Sequence, residues 1–527
     1  MYVRKKPNKS GSISVVVVEK TPDHKQRIVK TIGCSRSEQE ITQLVKQAEN
    51  YIIAHTKPEL PFVDHEEQHL HDFLHSLNNS QIQVIGPELI FGALYDRIGY
   101  NSIQNEMFRH LVICRLYNPG SKLKTVDYLS RYLHQSYTED KIYRFLDNLC
   151  YRKQTDEKEK KEVKNRERPD IKTQVEQISF AHTKQTVGGQ IDICFYDMTT
   201  LYFEAASEDE IRMCGFSKDG KHSCPQIYIG LLVASGGNPI GYEIFNGNIA
   251  ESKTFIPLVK RLAARFGFER PIVVADAGLL TKANIAELEA QGYEYILGAR
   301  VKSESADIKQ QIQNINWSNG QIEVITKDEH TRLIVSFSEK RQKHDERTRQ
   351  KGLVRLQKRL GSGNLTKEHI NNRGYNKYLK MDGEVKISID MEKFEDDARW
   401  DGIKGYVTNT TLPKGEVIDN YGYLWYIERA FRMNKYDLAV RPIYHRLINR
   451  IEGHICICFT AYTIMLELER MLKTAKSSLT VYRAQELTKN MYAITYELPK
   501  SNLRERVMLG MDEEQSELYG IIYPPKP

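Results

Sequence analysis

The sequence has no apolar run of about 18 residues or more, which excludes a membrane-spanning helix. Its first residues, MYVRKKPNKSGS, carry charge with no apolar stretch behind it, unlike a secretory leader. The eight cysteines are scattered and no Cys-x-x-Cys pair occurs, which argues against paired-ligand zinc modules. The expectation is a cytoplasmic protein with reduced thiols. Cys214 and Cys224 flank His222, but the spacing that zinc favours is missing. Tryptophan is scarce, three in 527 residues, a poor fit to a sugar-cleaving site. No helix-turn-helix signature, internal repeat or low-complexity tract stands out. What is present is a globular composition: 40% hydrophobic and 28% charged, long enough for several domains. The net charge of +7 is compatible with a polyanionic partner without requiring one.

The pattern changes along the chain. SISVVVVEK and QRIVKTIG read as two strands, and the segment from Ser37 to about Ala54 as a helix, a β-β-α unit over residues 1–60. Residues 61–185 read as helical. Thr138 is a candidate N-cap, 152–173 is a mixed-charge linker or solvated helix, and Arg109, Arg115, Lys122, Lys124, Arg131 and Arg144 are the cations there that a polyanionic partner would meet. Over 186–302 strands alternate with helices. QIDICFYD is a strand, SCPQIYIGLLVA and PIGYEIF a hairpin, and PIVVAD and YEYILGAR two more strands, with helices between them: a mixed α/β sheet. Residues 303–415 hold β-like pieces (GQIEVIT, RLIVSF, VKISID, GYVTNT) and a basic helix from Lys340 to Leu360, whose cations either meet phosphates or are simply solvated. Residues 416–475 are helical again, and 476–527 form a tail.

Two aspartates stand at matching places. Asp197 follows IDICFY and Asp276 closes PIVVAD, each at what reads as the end of a buried strand. Ile191, Ile193, Phe195 and Asp197 share one side of their strand. Either aspartate alone could cap a loop. Together they suggest two carboxylates at the C-terminal edge of a sheet, where α/β sheets put their sites. Paired carboxylates repel unless one is protonated or a cation is shared, and oxygen ligands favour Mg²⁺ or Mn²⁺. A third acid lies in YGYLWYIERAFRMNKYDL. Drawn as one helix, Tyr421, Glu428, Arg432 and Lys435 share a face beside an apolar stripe of Ile427, Phe431 and Leu438. Alone, that face could equally be a solvated Glu-Arg pair.

YDMTTLYFE, VVADAG and the spacing Tyr421-Glu428-Lys435 resemble the DDE transposases of bacterial insertion sequences. The nearest subgroup carries a Tyr-Arg-Glu-Lys signature; Leu424 stands where that signature has arginine, so the contact is absent or moves to Arg429 or Arg432. The resemblance covers roughly Asp192 to Leu472. It implies an RNase H-like fold with an insertion before the last acid. It also implies two Mg²⁺ or Mn²⁺ ions held by Asp197, Asp276 and Glu428, with Tyr421, Lys435 and Arg432 on DNA. The expected reaction is strand cleavage and transfer at transposon ends, on double-stranded DNA, with two copies of the chain assembled on it and no membrane involved. A nuclease of the same fold that never joins strands, or a DNA-binding derivative with a dead site, would share much of this pattern.

Overall fold

A computed structural model describes the chain except residues 22–24, 57–64, 134, 151–169, 205–206, 216–222, 251–252, 268–269, 279–280, 363–364, 366–368, 372–373, 383–385, 441–442, 499–502 and 525–527. The mixed-charge run at 152–173 and the Cys214–His222–Cys224 grouping therefore fall largely or partly outside the described residues. Two compact units result, one of residues 1–82 with 495–506 and one of 83–494 with 507–527.

In the first unit, β1 (Tyr2–Pro7), β2 (Ile13–Lys20) and β3 (Gln26–Ser35) form an antiparallel sheet in that order, followed by α1 (Glu38–Thr56). Val15 and Val17 of β2 pack with Ile41 and Ala48 of α1. The strand β1 adds to the expected β-β-α unit. Its sequence, YVRKKP, is almost wholly exposed and so carries no alternating apolar signal.

The second unit begins with helices: α2 (Ala93–Ile98), α3 (Glu106–Tyr117), α4 (Lys122–Leu133), α5 (Glu139–Leu149) and α6 (Ile171–Thr186). Side-chain caps start three of them: Asn105, Thr138 and Asp170 accept hydrogen bonds from Phe108, Lys141 and Thr173. Strands then take over. These are β4 (Ile193–Tyr202), β5 (Gln226–Ala234) and β6 (Pro239–Asn246); after helix α7 (Phe255–Phe266) comes β7 (Ile272–Ala275), and after α8 (Lys282–Ala290) comes β8 (Tyr295–Ala299). Pairing is antiparallel for β4 with β5 and β5 with β6, and parallel for β4 with β7 and β7 with β8. The order β6-β5-β4-β7-β8, with three antiparallel strands and two parallel ones, is the RNase H-like arrangement.

The region after β8 does not stand apart from this sheet. Its strands β9 (Ile322–Thr326), β10 (Arg332–Phe337) and β11 (Ile403–Thr408) continue it beyond β8 in the order β8-β11-β10-β9, all antiparallel, giving eight strands. Between β10 and β11 run the basic helix α9 (Glu339–Gly361), a two-stranded ribbon and the short helix α10 (Met391–Ala398), which share a small core of Leu353, Leu356, Tyr378 and Phe394.

Alternation divides the sheet into two faces. Cys194, Tyr196, Met198, Val273, Ala275 and Leu297 pack with Leu258, Val259 and Leu262 of α7. On the other face Phe195, Leu201, Val274, Ile296 and Tyr406 share a core with Ile427, Ala430 and Phe431. That second core also takes in the long helix α13 (Ile448–Thr474), which is buried for most of its length. At roughly 1.5–3 kcal/mol per large apolar side chain removed from water, the residues of these two cores are the main stabilising term.

The segment whose sequence reads as one helix from Tyr421 to Leu438 is broken in the structure. It consists of α11 (Lys414–Gly422), a turn at Tyr423 and Leu424, α12 (Trp425–Arg432) and a π turn over Met433–Asp437. Ideal 100° spacing therefore does not carry through it, and the extra residue of a π turn rotates the positions beyond it. Among the described residues no helix is long and apolar enough to cross a membrane.

Two carboxylates set an acid limit on this fold. Glu467 of α13 accepts Arg470 at 2.6 Å and meets His182 at 3.3 Å. Burial opposes its charge, but these partners outweigh it and bring the carboxyl down to about 2. Asp397 accepts from Lys302 at 2.8 Å and Tyr378 at 2.8 Å and pairs with Lys377, and it too falls to about 2 against the cost of burial. A depressed carboxylate stabilises the fold above its unfolded value and loses that contribution as pH falls toward the folded one. Thermal scans should show Tm falling as pH drops from about 4.5 toward 2, with Glu467→Gln flattening part of the slope. An unchanged slope in that variant would remove Glu467 from this account.

Candidate catalytic site

Backbone register sets the two aspartates side by side. Tyr196 of β4 lies opposite Ala275 of β7, and Ala275 opposite Leu297 of β8. One residue further on, Asp197 stands beside Asp276, and Asp276 beside Gly298, with strands about 4.8 Å apart. Gly298 in turn pairs with Tyr406 of β11. The row Asp197, Asp276, Gly298, Tyr406 shares the parity of Phe195, Val274 and Ile296, so it belongs to the face that α12 covers.

Asp197 is not at a strand end. β4 runs five residues past it to Tyr202, and Thr199 and Thr200 pair with Ile229 and Tyr228. The two threonines read as a polar exit, but their β-branched side chains suit a strand, and both are buried. Asp276, by contrast, does follow the last residue of β7, and its carboxylate accepts the Gly278 amide at 2.8 Å. Asp197 accepts the Met198 amide at 2.6 Å. Both aspartates are half-buried.

Tyr421, near the end of α11, fills the space over Gly298. A Cβ on that glycine would lie 2.5 Å from the Tyr421 hydroxyl and 3.1 Å from the Ala277 amide nitrogen. The Tyr421 ring meets Tyr406 edge-on at 4.8 Å. Burial lifts the phenol well above the usual tyrosine range; Asp276, Tyr406, Asp197 and Glu428 add to that lift. All three carboxylates are thus within electrostatic reach of one hydroxyl, despite the break in the helical segment. Glu428 is exposed, on the first turn of α12, whose buried side is Ile427, Ala430 and Phe431.

Two cations join this group: Lys404, which sequence reasoning missed, and Arg341, one of the cations of the basic helix. Lys404 of β11 lies 4.5 Å from the Tyr421 ring centre and 5.3 Å from that of Tyr406. Burial and Arg341 lower its affinity for a proton, and Glu428 opposes them. Arg341 belongs to α9 and is loosely paired with Asp345 at 3.5 Å. The only sequence signal for Lys404 is its parity with Tyr406, two residues on, which needs the register to be informative.

The remaining candidates divide. Lys435 lies in the π turn and lines a small cavity with Thr199 and Leu201 of β4, on the same face as Asp197. Arg432 is exposed and within electrostatic reach of Asp437. Arg429 is paired with Glu469 of α13, so it is not free to replace the arginine missing at Leu424. Of the proposed contact residues further back, Arg109 is held by Glu88 and Asp96 and Arg131 by Asp127, while Arg115 and Lys122 are buried.

Three carboxylates offer only oxygen donors, in kind a match to a hard divalent cation. Among the described residues, however, no three His, Cys, Asp or Glu side chains are gathered closely enough to hold an ion as they stand. The donor chemistry fits; a finished cage is not present.

Comparison with known proteins points the same way as the topology. Among curated proteins no sequence matches the chain. Solved structures resemble it weakly. A piggyBac transposase synaptic complex with hairpin DNA is 11% identical with a TM-score of 0.39, covering 76% of each chain. A Mos1 transposase paired-end complex with left transposon end is 11% identical with a TM-score of 0.15, covering 47% of this chain and 71% of that one. At these scores they add nothing to the strand order. Residues 188–464, more than half the chain and the span that carries both aspartates and Glu428, match the family described as transposase DDE domain, and the chain belongs to that family.

Proposed function

We propose that this chain cuts DNA at transposon ends and joins the freed 3′ ends to a target. The observation that carries the reading is the row on one sheet face, Asp197 and Asp276 abreast, with Glu428 within electrostatic reach of the phenol that lies over that row. Asp197, Asp276 and Glu428 would hold Mg²⁺ or Mn²⁺, which activates the attacking oxygen and stabilises the leaving one. The chain's own cations do the positioning. Lys404, Arg341, Lys435 and Arg432 neutralise phosphates beside the acids. Tyr421, protonated at neutral pH because burial and three carboxylates disfavour its anion, donates a hydrogen bond rather than acting as a nucleophile. The partner is double-stranded DNA, bound by two copies of the chain.

Incubating the purified chain with a duplex carrying its own terminal repeats, Mg²⁺ and a target plasmid should give nicks at the repeat ends and joined products. Nicks without joining would leave a nuclease; neither, with tight binding, a dead derivative. End binding should weaken about tenfold or more between 50 and 200 mM salt as phosphate contacts release counterions. A flat salt response would remove the basic residues from the reading.

Gly298 offers a sharper test. Gly298→Ala inserts a methyl 2.5 Å from the Tyr421 hydroxyl, so the phenol must move. Cleavage should fall by roughly 10–100-fold with folding retained, the usual effect of about 1 Å of misplacement. Wild-type cleavage in Gly298→Ala would show that the Tyr421 position is irrelevant to the reaction.

A further inference from the structure

Away from the aspartates, a cavity of ≈ 250 Å³ opens between the start of α4 and residues 443–445, which precede α13. Its wall includes Arg115, Lys122, Glu139, Tyr143, His445 and His454. The volume is many times what one water needs. Arg115 and Lys122 each keep only 6% of their surface exposed. Two neighbouring buried cations ordinarily come with a carboxylate. Here neither has one: among the described residues no ion pair involves Arg115 or Lys122, and none of them hydrogen-bonds the Lys122 ammonium. Glu139 is hydrogen-bonded instead by the Tyr143 hydroxyl at 3.4 Å, and nearby Asp147 is taken by Arg450 at 2.7 Å.

Arg115 is poorly satisfied as well. Its guanidinium reaches the Leu438 carbonyl and His454 Nδ1, both at 3.5 Å, the outer limit of a hydrogen bond. His454 donates Nε2–H to the Val440 carbonyl at 3.1 Å, which leaves Nδ1 as an acceptor and the ring neutral. Burial, Lys122 and Arg115 hold the His445 ring neutral too, down at about 3. The cations thus face neutral rings. Lys122 is the first residue of α4, where the first-turn amides have no acceptor within the helix; Ser121 Oγ accepts only the Lys124 amide, at 3.2 Å.

We propose that this cavity is a phosphate-binding site, separate from the acid row, in which Arg115 and Lys122 hold a tetrahedral oxyanion. Guanidinium fork, ammonium and helix N-terminus converge on a ligand with several anionic oxygens. The source is either free phosphate or a phosphate of nucleic acid. Burial, with Arg115 beside it, lowers the Lys122 ammonium to about 7, against weak opposition from the Cys458 and Cys114 thiols. An oxyanion would favour the charged form. Binding above pH 7 therefore takes up a proton onto Lys122.

The test is calorimetry and thermal shift on the full chain with inorganic sulfate, whose charge does not change near neutrality, and inorganic phosphate. The wild type should bind both, and Lys122→Met and Arg115→Met should bind at least about tenfold more weakly. Lys122→Arg should retain binding. Without oxyanion, Lys122→Met should melt higher than wild type, because an unpaired buried charge is gone. Should the methionine variants fail to fold, wild type alone decides. Sulfate binding measured in two buffers of different ionisation heat should take up protons at pH 8 and almost none at pH 6. Equal binding by wild type and Lys122→Met, or no proton uptake at pH 8, overturns the proposal. Duplex DNA then identifies the source. Displacement of phosphate by duplex in wild type points to a nucleic-acid phosphate; undisturbed phosphate binding points to a free one. DNA cleavage retained by Lys122→Met would leave the catalytic reading intact whichever way the anion test falls.

Discussion

Asp197→Asn and Asp276→Asn should each abolish metal-dependent cleavage, a loss of about 10³-fold or more, while end binding stays within about threefold of wild type. Asparagine keeps the volume and the hydrogen bonds from Met198 and Gly278, so the fold should survive and only the negative charge is lost. The two changes should behave alike. The parallel register makes the aspartates neighbours on one face, and two ligands of one ion fail together. The double variant should be no worse than either single one, as expected for groups acting as a unit. Filter binding and nicking assays on the same preparations would separate the two effects. Full cleavage by either single variant would exclude the proposed site, and loss of binding in step with cleavage would make the aspartates DNA-organising rather than metal-holding.

What made this pair legible is that each aspartate follows a nearly continuous apolar run, which buried strands require on both faces. IDICFYD and PIVVAD give their parity directly. The hairpin between them is equally plain, since Gly236 and Gly237 adopt positive φ, 75° and 86°, at its turn. Three things were not legible. β1 is a charged, exposed strand and has no apolar period to read. The break at Tyr423 and Leu424 contains neither proline nor a charge reversal, and the π turn after Arg432 has no local signature, so the segment reads as one helix. The strands after β8 look like a separate insertion because sequence gives no partner; only the pairing of β11 with β8 reveals that they widen the sheet that carries the two aspartates. That pairing is what delivers Lys404 to Tyr421, with Arg341 of α9 within electrostatic reach of Lys404. Lys404 was invisible because its place depends on register between strands more than a hundred residues apart, whereas Arg341 was legible only as one cation of the basic helix.

The second large effect concerns stability and turns on one buried carboxylate. Glu176 of α6 is fully buried, and it accepts Arg261 through both oxygens at 2.9 and 3.0 Å and Arg265 at 2.5 Å. Arg261 also reaches the Tyr242 carbonyl of β6 at 2.6 Å and pairs with Glu243 at 2.5 Å. The carboxylate thus ties α6, α7 and the edge strand together. Its two partners are unlike it: Arg261 and Arg265 keep 24% and 32% of their side chains exposed, so either can turn toward water. Losing the arginines must therefore hurt more than losing the acid. Glu176→Ala frees two half-solvated cations, one of which keeps Glu243, and should cost about 3 kcal/mol. Arg261→Met with Arg265→Met strands a charge in the core and should cost more, about 3–5 kcal/mol. Adding Glu176→Met to that pair should restore most of the loss, because an apolar cluster of similar volume replaces the whole ionic group. Denaturant midpoints of the four proteins would give the order: wild type, triple variant close to it, Glu176→Ala below, the double arginine variant lowest. If the double variant were as stable as the triple one, Glu176 would be reaching water by some route, and the tie between α6 and α7 would rest on their apolar contacts alone.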